Sequence, residues 1–490
     1  MKRFRRYLLR KILRNKRVYE FYLFAIIKAR SIKHKIERIK AKIFPPKYLS
    51  IHPNILLLSI DSLRPDHLGC YGYHRNTSPN IDKLAKNSAI FTNAICQAPW
   101  TKPSIGSLFT AVNPGVHGAD KGGKFGQDIA RISSRTDAIG LRDMIPTLTE
   151  KLKEGDYITA GFTGGGYTHS IFGLDRGFDI YKANLSLMDL INFEVFSFLN
   201  RDFKKPIFLF IHTFDVHFPY HNKKPYNRLF GKFDSRINMS KQLSLDINYG
   251  RFTPSDEDIQ HMITLYDGSI FYIDQRIGFL LEMLQTLGFM QNVMIILTAD
   301  HGEGFMEHDL VGHSEIIYNE VLRIPLIIYH SNMTSKRVVS NLVRSIDLMP
   351  TLLEFANIPC DNFIQGKGLL PLLEKEASYD EAAFSETERL GGIQAIQTQE
   401  GYKFVYWKKT EKKELYDLNN DPLERKNIIQ LMPEKAEELE HKLFEIIRES
   451  EDLSKRIEAM KKDKTSERKE ISEEDIEAVT ARLRALGYID

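Results

Sequence analysis

The stretch "NILLLSID" (residues 54–61) decides the fold class, because it is a continuous apolar run that ends in an acidic residue. A strand buried on both faces of a parallel sheet shows such a run, without polar alternation. Three later stretches repeat this type: "PIFLFIHT" (206–213), "NVMIILTAD" (292–300) and "IPLIIYH" (324–330). We predict that all four are buried strands of the parallel type.

A helical stretch, "SIFYIDQRIGFLLEMLQTLG" (269–288), lies between the second and third of these runs and ends in glycine. Strands separated by helices predict an α/β fold, with a mostly parallel sheet and helices on both faces. Sheets of this kind bind ligands beyond the carboxyl ends of their strands. The residues that end each apolar run are therefore the first candidates for a functional site.

The remaining chain divides by composition. With 490 residues and 42% hydrophobic content, it can bury a large core. The segment 391–422 has the pattern of short strands joined by polar turns, which predicts a small antiparallel sheet. A charged helix near 433–463, a linker near 464–470 and a final helix within 472–490 are predicted to serve packing or solvation. The predicted units are a basic N-terminal arm (1–50), the main α/β domain (51–385), the small sheet subdomain (386–430) and a charged helical tail (431–490).

The basic arm holds 17 lysines and arginines against two acids, whereas the whole chain has a net charge of +4. Its apolar part, residues 18–27, includes Glu20 and is too short for a secretory signal or for a bilayer span of roughly 20 residues. A basic amphipathic helix on an anionic membrane surface and a solvated tail explain the arm equally well. Nucleic acid is not an expected partner, because no base-reading motif follows the arm.

Three cysteines, Cys70, Cys96 and Cys360, form neither a disulfide framework nor a metal-ligand pattern. This usage fits a reducing compartment or inert thiols. The expected location is the cytoplasm, with the membrane surface as an alternative if the arm binds there.

Two apolar runs end in metal-ligand residue types. Asp61 ends the first run, and Asp300 and His301 end a later one. Carboxylate oxygens and an imidazole nitrogen suit a divalent cation. Such a cation would lower the pKa of a coordinated hydroxyl and screen the charge of an anionic ester.

A hydroxyl candidate is Thr101, within "QAPWTKPSIGSLFTAVNPGVHG" (97–118). Thr101 precedes Pro103 at the start of an apolar, helix-length stretch, so it could be an ordinary helix N-cap. The alternative is a nucleophile, placed where helix N–H groups favour an oxyanion, although this stretch alone favours the cap. Together with Asp61, Asp300 and His301, the nucleophile is the favoured interpretation.

From about residue 52 to 430, the chain resembles the sulfatase branch of the alkaline phosphatase superfamily. The matching residues, in chain order, are Asp61, Leu63, Arg64, Asp66 and Gly69 to Gly72; Thr101 to Ser104 with "TAVNPGVHG" (110–118); His217 to Tyr220; Ala299 to Glu303; Gly312, Tyr318, Glu320 and Arg323 to Leu326; "SIDLMPTLLEFANI" (345–358); and "LYDLNNDPLERKNI" (415–428). The resemblance implies an alkaline-phosphatase-like α/β domain and a metal-dependent ester hydrolase.

Several positions depart from the sulfatase pattern. Thr101 stands where the family has the cysteine that becomes formylglycine, and Ser62 replaces the second of two paired metal acids. Ile105 replaces an arginine, and His313 replaces a lysine. The family's "GKWH" segment is replaced by "GGGYTH" (164–169), where only His169 could serve the lost Lys/His pair.

Thr101 and His313 resemble family branches that transfer phosphoryl groups with a hydroxyl nucleophile. A formylglycine hydrate sheds sulfate by elimination, which a sulfo-threonine cannot do, whereas a phospho-threonine accepts in-line attack at phosphorus. We therefore predict that Thr101 is the nucleophile on an anionic phosphoric ester, glycan-linked or lipid-linked. The alternatives are a sulfuric ester hydrolase that works without formylglycine and an inactive scaffold that keeps the fold for binding.

The predicted site has two groups of residues. Thr101, His217 and His313 are the predicted catalytic residues, and the histidines would stabilise the transferred group or protonate the leaving oxygen. The predicted ligands of one divalent cation (calcium, magnesium, manganese or zinc) are Asp61, Asp300, His301 and Thr101.

Other polar residues are predicted to have structural roles. Arg64 is expected in a buried ion pair, and Lys102 is expected to be exposed. The histidines expected to act as caps, turns or core polar groups are His67, His117, His212, His221 and His308.

Overall fold

The structure is a computed structural model, which describes residues 52–120, 140–185, 188–201, 203–220, 224–231, 239–375, 377–460 and 473–486. The basic arm (1–50), the predicted linker (464–470) and His221 lie outside the described residues.

The strands in chain order are β1 (Asn54–Ile60), β2 (Ser88–Ile95), β3 (Ile158–Thr163), β4 (Ile180–Lys182), β5 (Ile207–Thr213), β6 (Val293–Thr298), β7 (Gly304–Phe305), β8 (Val311–Gly312), β9 (Arg323–His330), β10 (Arg337–Arg344), β11 (Ala383–Thr387), β12 (Ile393–Gln397), β13 (Tyr402–Trp407) and β14 (Lys412–Asp417). The α-helices are α1 (Pro79–Ala85), α2 (Thr101–Thr110), α3 (Pro114–His117), α4 (Leu148–Glu154), α5 (Met188–Leu199), α6 (Lys241–Asn248), α7 (Asp256–Leu287), α8 (Asn319–Leu322), α9 (Leu348–Phe355), α10 (Leu370–Glu374), α11 (Pro433–Met460) and α12 (Glu473–Ala485).

The main sheet has the strand order β10-β2-β9-β6-β1-β5-β3-β4. Strands β6, β1, β5, β3 and β4 pair in parallel with one another, so their carboxyl ends share one edge of the sheet. Every residue of β5 and β6 is buried, which explains why their sequences are uninterrupted apolar runs. The predicted alkaline-phosphatase-like α/β fold with a mostly parallel sheet is confirmed.

The prediction was wrong for the direction of the run at 324–330. This run forms β9, which is antiparallel to both of its neighbours, β2 and β6. Its central residues are buried like those of the parallel strands. A continuous apolar run reports burial on both faces of a sheet, and burial carries no information about chain direction.

Helices cover the sheet in two contacting groups, α1, α5 and α7 in one and α2, α4 and α9 in the other. The predicted helix at 269–288 is the second part of α7. It begins at Asp256, where Ser255 and Asp258 form a capping box, and it ends at Gly288, which has a left-handed conformation. The sequence prediction missed the amino-terminal half, because that half carries the charged cap rather than an apolar run.

The small antiparallel sheet contains β11, β12, β13 and β14. Its apolar face, with Phe384, Ile396 and Phe404, packs against Leu439 and Leu443 of α11. Strand β11 crosses the predicted division between residues 385 and 386, and the four-unit division of the chain stays a prediction.

The last described helix, α12, packs near the ends of the central strands. Its residues Val479, Leu483 and Leu486 form an apolar cluster with Trp100, Tyr167, Phe172 and Phe214. Arg482 Nε donates a hydrogen bond to the Gly164 carbonyl at 2.8 Å. Among the described helices, each is too short or too polar to cross a lipid bilayer.

Candidate active site

The candidate site lies at the carboxyl edge of the parallel strands. Asp61 directly follows β1, and Asp300 and His301 follow β6, its neighbour in the sheet. Strand β5, on the other side of β1, carries His212 near its end. All four side chains are fully or almost fully buried, so the strand ends place charged groups inside the protein.

Thr101 joins this cluster from helix α2. Its hydroxyl Oγ1 lies 3.1 Å from Asp61 Oδ2 and 3.4 Å from His301 Nε2. Thr101 is the first residue of the helix, and Trp100, with extended dihedral angles, occupies the N-cap position. Thr101 is therefore not the helix cap. Ser104 anchors the helix to the same cluster, because its hydroxyl donates to the Asp300 carbonyl at 2.5 Å.

Ser62 hydrogen-bonds one oxygen of each carboxylate, and the second oxygen of Asp61 accepts the Thr101 hydroxyl. Asp300 Oδ1 accepts the backbone N–H groups of Ser62 at 3.4 Å and His301 at 3.0 Å. The second oxygen, Asp300 Oδ2, is buried and has no hydrogen-bond partner among the described residues. Asp61 Oδ1 accepts the Ser62 hydroxyl at 2.8 Å, so Ser62 contacts a carboxylate rather than pointing into the site.

Burial and charge push the pKa values of the two acids in opposite directions. Burial alone would raise the pKa of Asp61, but His217, His212 and His301 hold it well below its usual range. Burial and the neighbouring Asp61 raise the pKa of Asp300 well above its usual range. Two carboxylates in one dry site cannot both ionise without a compensating cation.

These donors fit a divalent cation. Asp61, Asp300 and His301 each offer one ligand atom, and the three atoms lie within 4.8 Å of one another. The N–H group at His301 Nδ1 donates a hydrogen bond to the Gly302 carbonyl at 2.8 Å, which leaves Nε2 as the ligand atom. Asp300 Oδ2 has no hydrogen-bond donor among the described residues, and a bound cation would compensate for that missing donor.

His217 and His313 lie beside the three candidate cation ligands. The His313 ring centroid is 4.2 Å from that of His301 and 5.0 Å from that of His217. Burial lowers the pKa of His217 to about 4. Burial, the His301 ring and the Arg389 guanidinium lower the pKa of His313 well below its usual range. Both rings are therefore neutral at neutral pH in the protein without a cation.

Glu303 orients His313, and sequence reasoning did not single it out. Glu303 Oε1 lies 3.0 Å from His313 Nδ1, and its side chain is fully buried. Burial raises the pKa of Glu303 to about 7. The signal was present in the "ADHGE" segment, but nothing local in the sequence pairs its glutamate with a histidine ten residues later.

Arg389 was also missed. It belongs to the turn between β11 and β12, and its guanidinium carbon lies 4.0 Å from the Trp100 ring centroid. The small sheet therefore borders the site beside Thr101. The sequence did not indicate this contact, because Arg389 and Trp100 are far apart in the chain.

The structure corrects two further sequence predictions. Lys102 is buried rather than exposed, and its Nζ lies 5.3 Å from the ring centroids of Trp100 and Phe172. His212 is not an ordinary core histidine, because its Nε2 lies 3.4 Å from Asp61 Oδ2. The local sequence cannot show either feature, since both depend on packing between separate elements.

Arg64 has its predicted role, and His169 lies outside the candidate site. Arg64 is buried and forms the expected ion pairs, at 2.7 Å with the exposed Asp66 and at 2.6 Å with Glu307. His169 faces α12, where its Nε2 is 4.0 Å from Asp475, and no described contact joins it to Thr101 or the acids.

Comparison with known proteins identifies the family of the chain. The family model described as "Sulfatase" matches residues 53–358, and one described as "N-sulphoglucosamine sulphohydrolase, C-terminal" matches residues 307–452. An arylsulfatase of Clostridium perfringens is 25% identical, covering 77% of this chain and 90% of its own length. A Delta 4,5-hexuronate-2-O-sulfatase of Bacteroides thetaiotaomicron is 24% identical, covering 77% and 84%.

A solved structure shows the same fold. The phosphonate monoester hydrolase of Agrobacterium radiobacter superposes with a TM-score of 0.65 at 19% identity, covering 81% of this chain and 96% of that chain. Because the first family model spans more than half of the chain, this protein belongs to the sulfatase family of the alkaline phosphatase superfamily and is a sulfatase-like hydrolase of ester bonds.

Proposed function

We propose that the protein cleaves or transfers phosphoric esters through a covalent intermediate on Thr101. The observation that carries this proposal is the 3.1 Å distance from Thr101 Oγ1 to Asp61 Oδ2, with His301 Nε2 at 3.4 Å. A threonine hydroxyl thus occupies the position where the sulfatase pattern has formylglycine, among the candidate ligands of a cation.

A divalent cation held by Asp61, Asp300 and His301 would lower the pKa of the Thr101 hydroxyl and screen the substrate's charge. The Thr101 oxygen then attacks phosphorus, and the bond from phosphorus to the leaving oxygen breaks. His313, oriented by Glu303, and His217 are placed to give the leaving oxygen a proton or to hold the transferred group. Water or an acceptor hydroxyl then attacks the phospho-threonine and regenerates Thr101.

The choice of phosphorus over sulfur rests on how the intermediate is released. A sulfo-threonine lacks the second hydroxyl that lets a formylglycine hydrate eliminate sulfate. A phospho-threonine needs no such exit, because phosphorus accepts a second in-line attack. A protein with the same fold is named as a phosphonate monoester hydrolase, which supports the choice of phosphorus.

Sulfate ester hydrolysis is the second candidate, and the names of the relatives favour it. An arylsulfatase and a hexuronate 2-O-sulfatase are among them. The second name also supports a glycan-linked anionic ester as the substrate class. Arg389 beside Trp100 adds positive charge near the site, which suits an anionic substrate of either kind. An inactive binding scaffold is the third candidate, and the three converging ligand residues argue against it.

The deciding experiment measures release of phosphate and of sulfate from 4-nitrophenyl mono- and diesters, with each divalent metal added in turn. We expect phosphoric ester cleavage that Thr101→Ala lowers by a factor of about 1,000 or more, as for loss of a covalent nucleophile. Thr110→Ala is the matched control, because Thr110 lies in the same helix and only bonds the Gly106 carbonyl. Activity that survives Thr101→Ala would exclude the nucleophile, and sulfate release alone would favour the second candidate.

Metal analysis of the purified protein tests the scaffold alternative. Stoichiometric binding of a divalent cation supports an enzyme, and failure to bind any of the four candidate metals favours the scaffold.

Contact with an anionic membrane through residues 1–50 is a separate proposal, supported by the charge of the arm. Co-sedimentation with phosphatidylserine vesicles, but not with phosphatidylcholine vesicles, is the expected result for the full chain. Equal sedimentation with both, or with neither, would contradict it.

A further inference from the structure

We propose that His212 is a direct nitrogen ligand of the bound cation, in place of the family acid that is missing at position 62. The cation would then have two carboxylates and two imidazoles around it, besides the Thr101 hydroxyl. Such a donor set prefers zinc or another transition metal over calcium. This inference deepens the proposed function, because it concerns the same cation.

Ser62 does not replace the missing acid. Its hydroxyl donates to Asp61 Oδ1 at 2.8 Å, and its N–H donates to Asp300 Oδ1 at 3.4 Å. Ser62 therefore holds the outer oxygens of both carboxylates. The other oxygens, Asp61 Oδ2 and Asp300 Oδ2, are the ones that Ser62 leaves for a cation.

His212 reaches those two oxygens from the neighbouring strand. Strand β5 pairs in parallel with β1, with His212 opposite Ser59, two residues before Asp61. His212 Nε2 lies 3.4 Å from Asp61 Oδ2 and 4.0 Å from Asp300 Oδ2. Two ligand atoms that each lie about 2.1 Å from one cation are roughly 3–4 Å apart, so these separations suit a shared ion.

His212 Nε2 is buried and faces the two carboxylates. The side chain is fully buried, and Nε2 has no hydrogen-bond partner among the described residues. Its other nitrogen, Nδ1, lies 3.1 Å from the Ser59 hydroxyl, which can accept a hydrogen bond from a protonated Nδ1. That tautomer leaves a lone pair on Nε2 facing the two carboxylates, the arrangement of a metal-binding histidine. The Phe214 ring, 4.9 Å away by centroids, closes the apolar side of the imidazole.

The rival role for His212 is a proton on Nε2 donated to Asp61, which would make it a positioning residue for the carboxylate. The two roles differ in the number of imidazoles bound to the metal. X-ray absorption spectroscopy of the zinc-loaded full chain, without substrate, counts those imidazoles directly.

We expect two bound imidazoles in the wild type and one in His212→Gln, with zinc affinity lowered at least about 100-fold by the substitution. His308→Gln is the matched control, because His308 follows Asp300 and His301 in the chain but bonds Glu320 at 2.6 Å instead. It should keep two imidazoles and the wild-type affinity. A single imidazole in the wild type overturns the proposal even if the variant fails to fold, and so does a count of two in a folded His212→Gln.

A compensating variant sharpens the test. Ser62 has a positive φ of 59°, and aspartate is among the residues that adopt this conformation most readily. In the His212→Gln background, Ser62→Asp should restore tight cation binding and shift the preference from zinc toward calcium or magnesium. No recovery in the folded double variant would count against exchange of the acid for the imidazole. Because no substrate is used, these results are independent of whether Thr101 is the nucleophile.

Discussion

The two halves of the candidate site are built differently. The cation half, with Asp61, Asp300 and His301, follows directly from the ends of two paired parallel strands. The proton half, with His217 and His313, lies on loops and depends on partners such as Glu303. The first half concentrates like charges that only a cation can balance, whereas the second holds neutral rings by burial. The strand ends thus place the candidate cation ligands, and the loops place the histidines that we propose to exchange protons.

The largest expected effect comes from the cation half. Asp61→Asn removes one negative charge from the ligand set, so bound metal should be lost and kcat/KM should fall by a factor of about 1,000 or more. In the metal-free protein the substitution should also lower the raised pKa of Asp300, because the Asp61 carboxylate contributes to that rise, and denaturant unfolding at several pH values follows this change.

Metal content, kcat/KM and denaturant unfolding of this variant test both statements. Asp66→Asn is the control, because Asp66 pairs with Arg64 outside the ligand set. Retained metal in Asp61→Asn would mean that the strand-end acids are not the cation site.

In the proton half, His313→Gln should leave the metal bound and slow catalysis. We expect a fall in kcat of about 100-fold or more for an alkyl ester, whose leaving oxygen needs a proton, and a smaller fall for a 4-nitrophenyl ester. Comparison of the two substrates with metal content measured in parallel separates the halves. Equal losses on both esters would assign His313 to binding of the transferred group instead of protonation.

An intermediate effect on stability and activity is expected for the apolar cluster between α12 and the candidate site. Leu483 of α12 is fully buried against the cluster that includes Trp100 and Phe214, which flank the site in the sequence. Leu483→Ala should lower the free energy of unfolding by about 2–4 kcal/mol and reduce activity several-fold, because the loops carrying Thr101 and His217 lose support. Leu431, which is 67% exposed, provides the control Leu431→Ala. Full stability in Leu483→Ala would show that α12 does not pack against the site in solution.

The smallest expected effect is a pH dependence of stability in the metal-free protein. The folded protein keeps His217 neutral down to about pH 4, whereas the unfolded chain takes up the proton near pH 6.5. The free energy of unfolding should therefore fall as the pH drops through this window, and His217→Gln should remove up to about 3 kcal/mol of that fall. Denaturant unfolding at several pH values checks the slope, with the exposed His74→Gln as control. An unchanged slope in His217→Gln would contradict burial as the cause.

The contrast between the halves also explains what could be predicted. Asp61, Asp300 and His301 were predicted to converge because parallel strands of a covered sheet must end at one edge. The same reasoning placed β9 wrongly in direction, since burial does not encode it. His212 was assigned to the core because its place within an apolar run says nothing of what faces it across the next strand. Glu303 and Arg389 were missed for a related reason. Glu303 contacts a histidine ten residues later, and Arg389 contacts Trp100 from the other subdomain.

By itself, the order of residues determined the sheet, its covered faces, the family pattern and the acids at the strand ends, because each of these depends on local hydrophobicity or on short motifs. Only the tertiary structure set the surroundings of individual side chains. It showed that Thr101 is not the helix cap, that Lys102 is buried and that His212 lies beside the two carboxylates. The physical reason is that burial and ligand distance are set by the packing of segments far apart in sequence, and a one-dimensional pattern does not contain those distances.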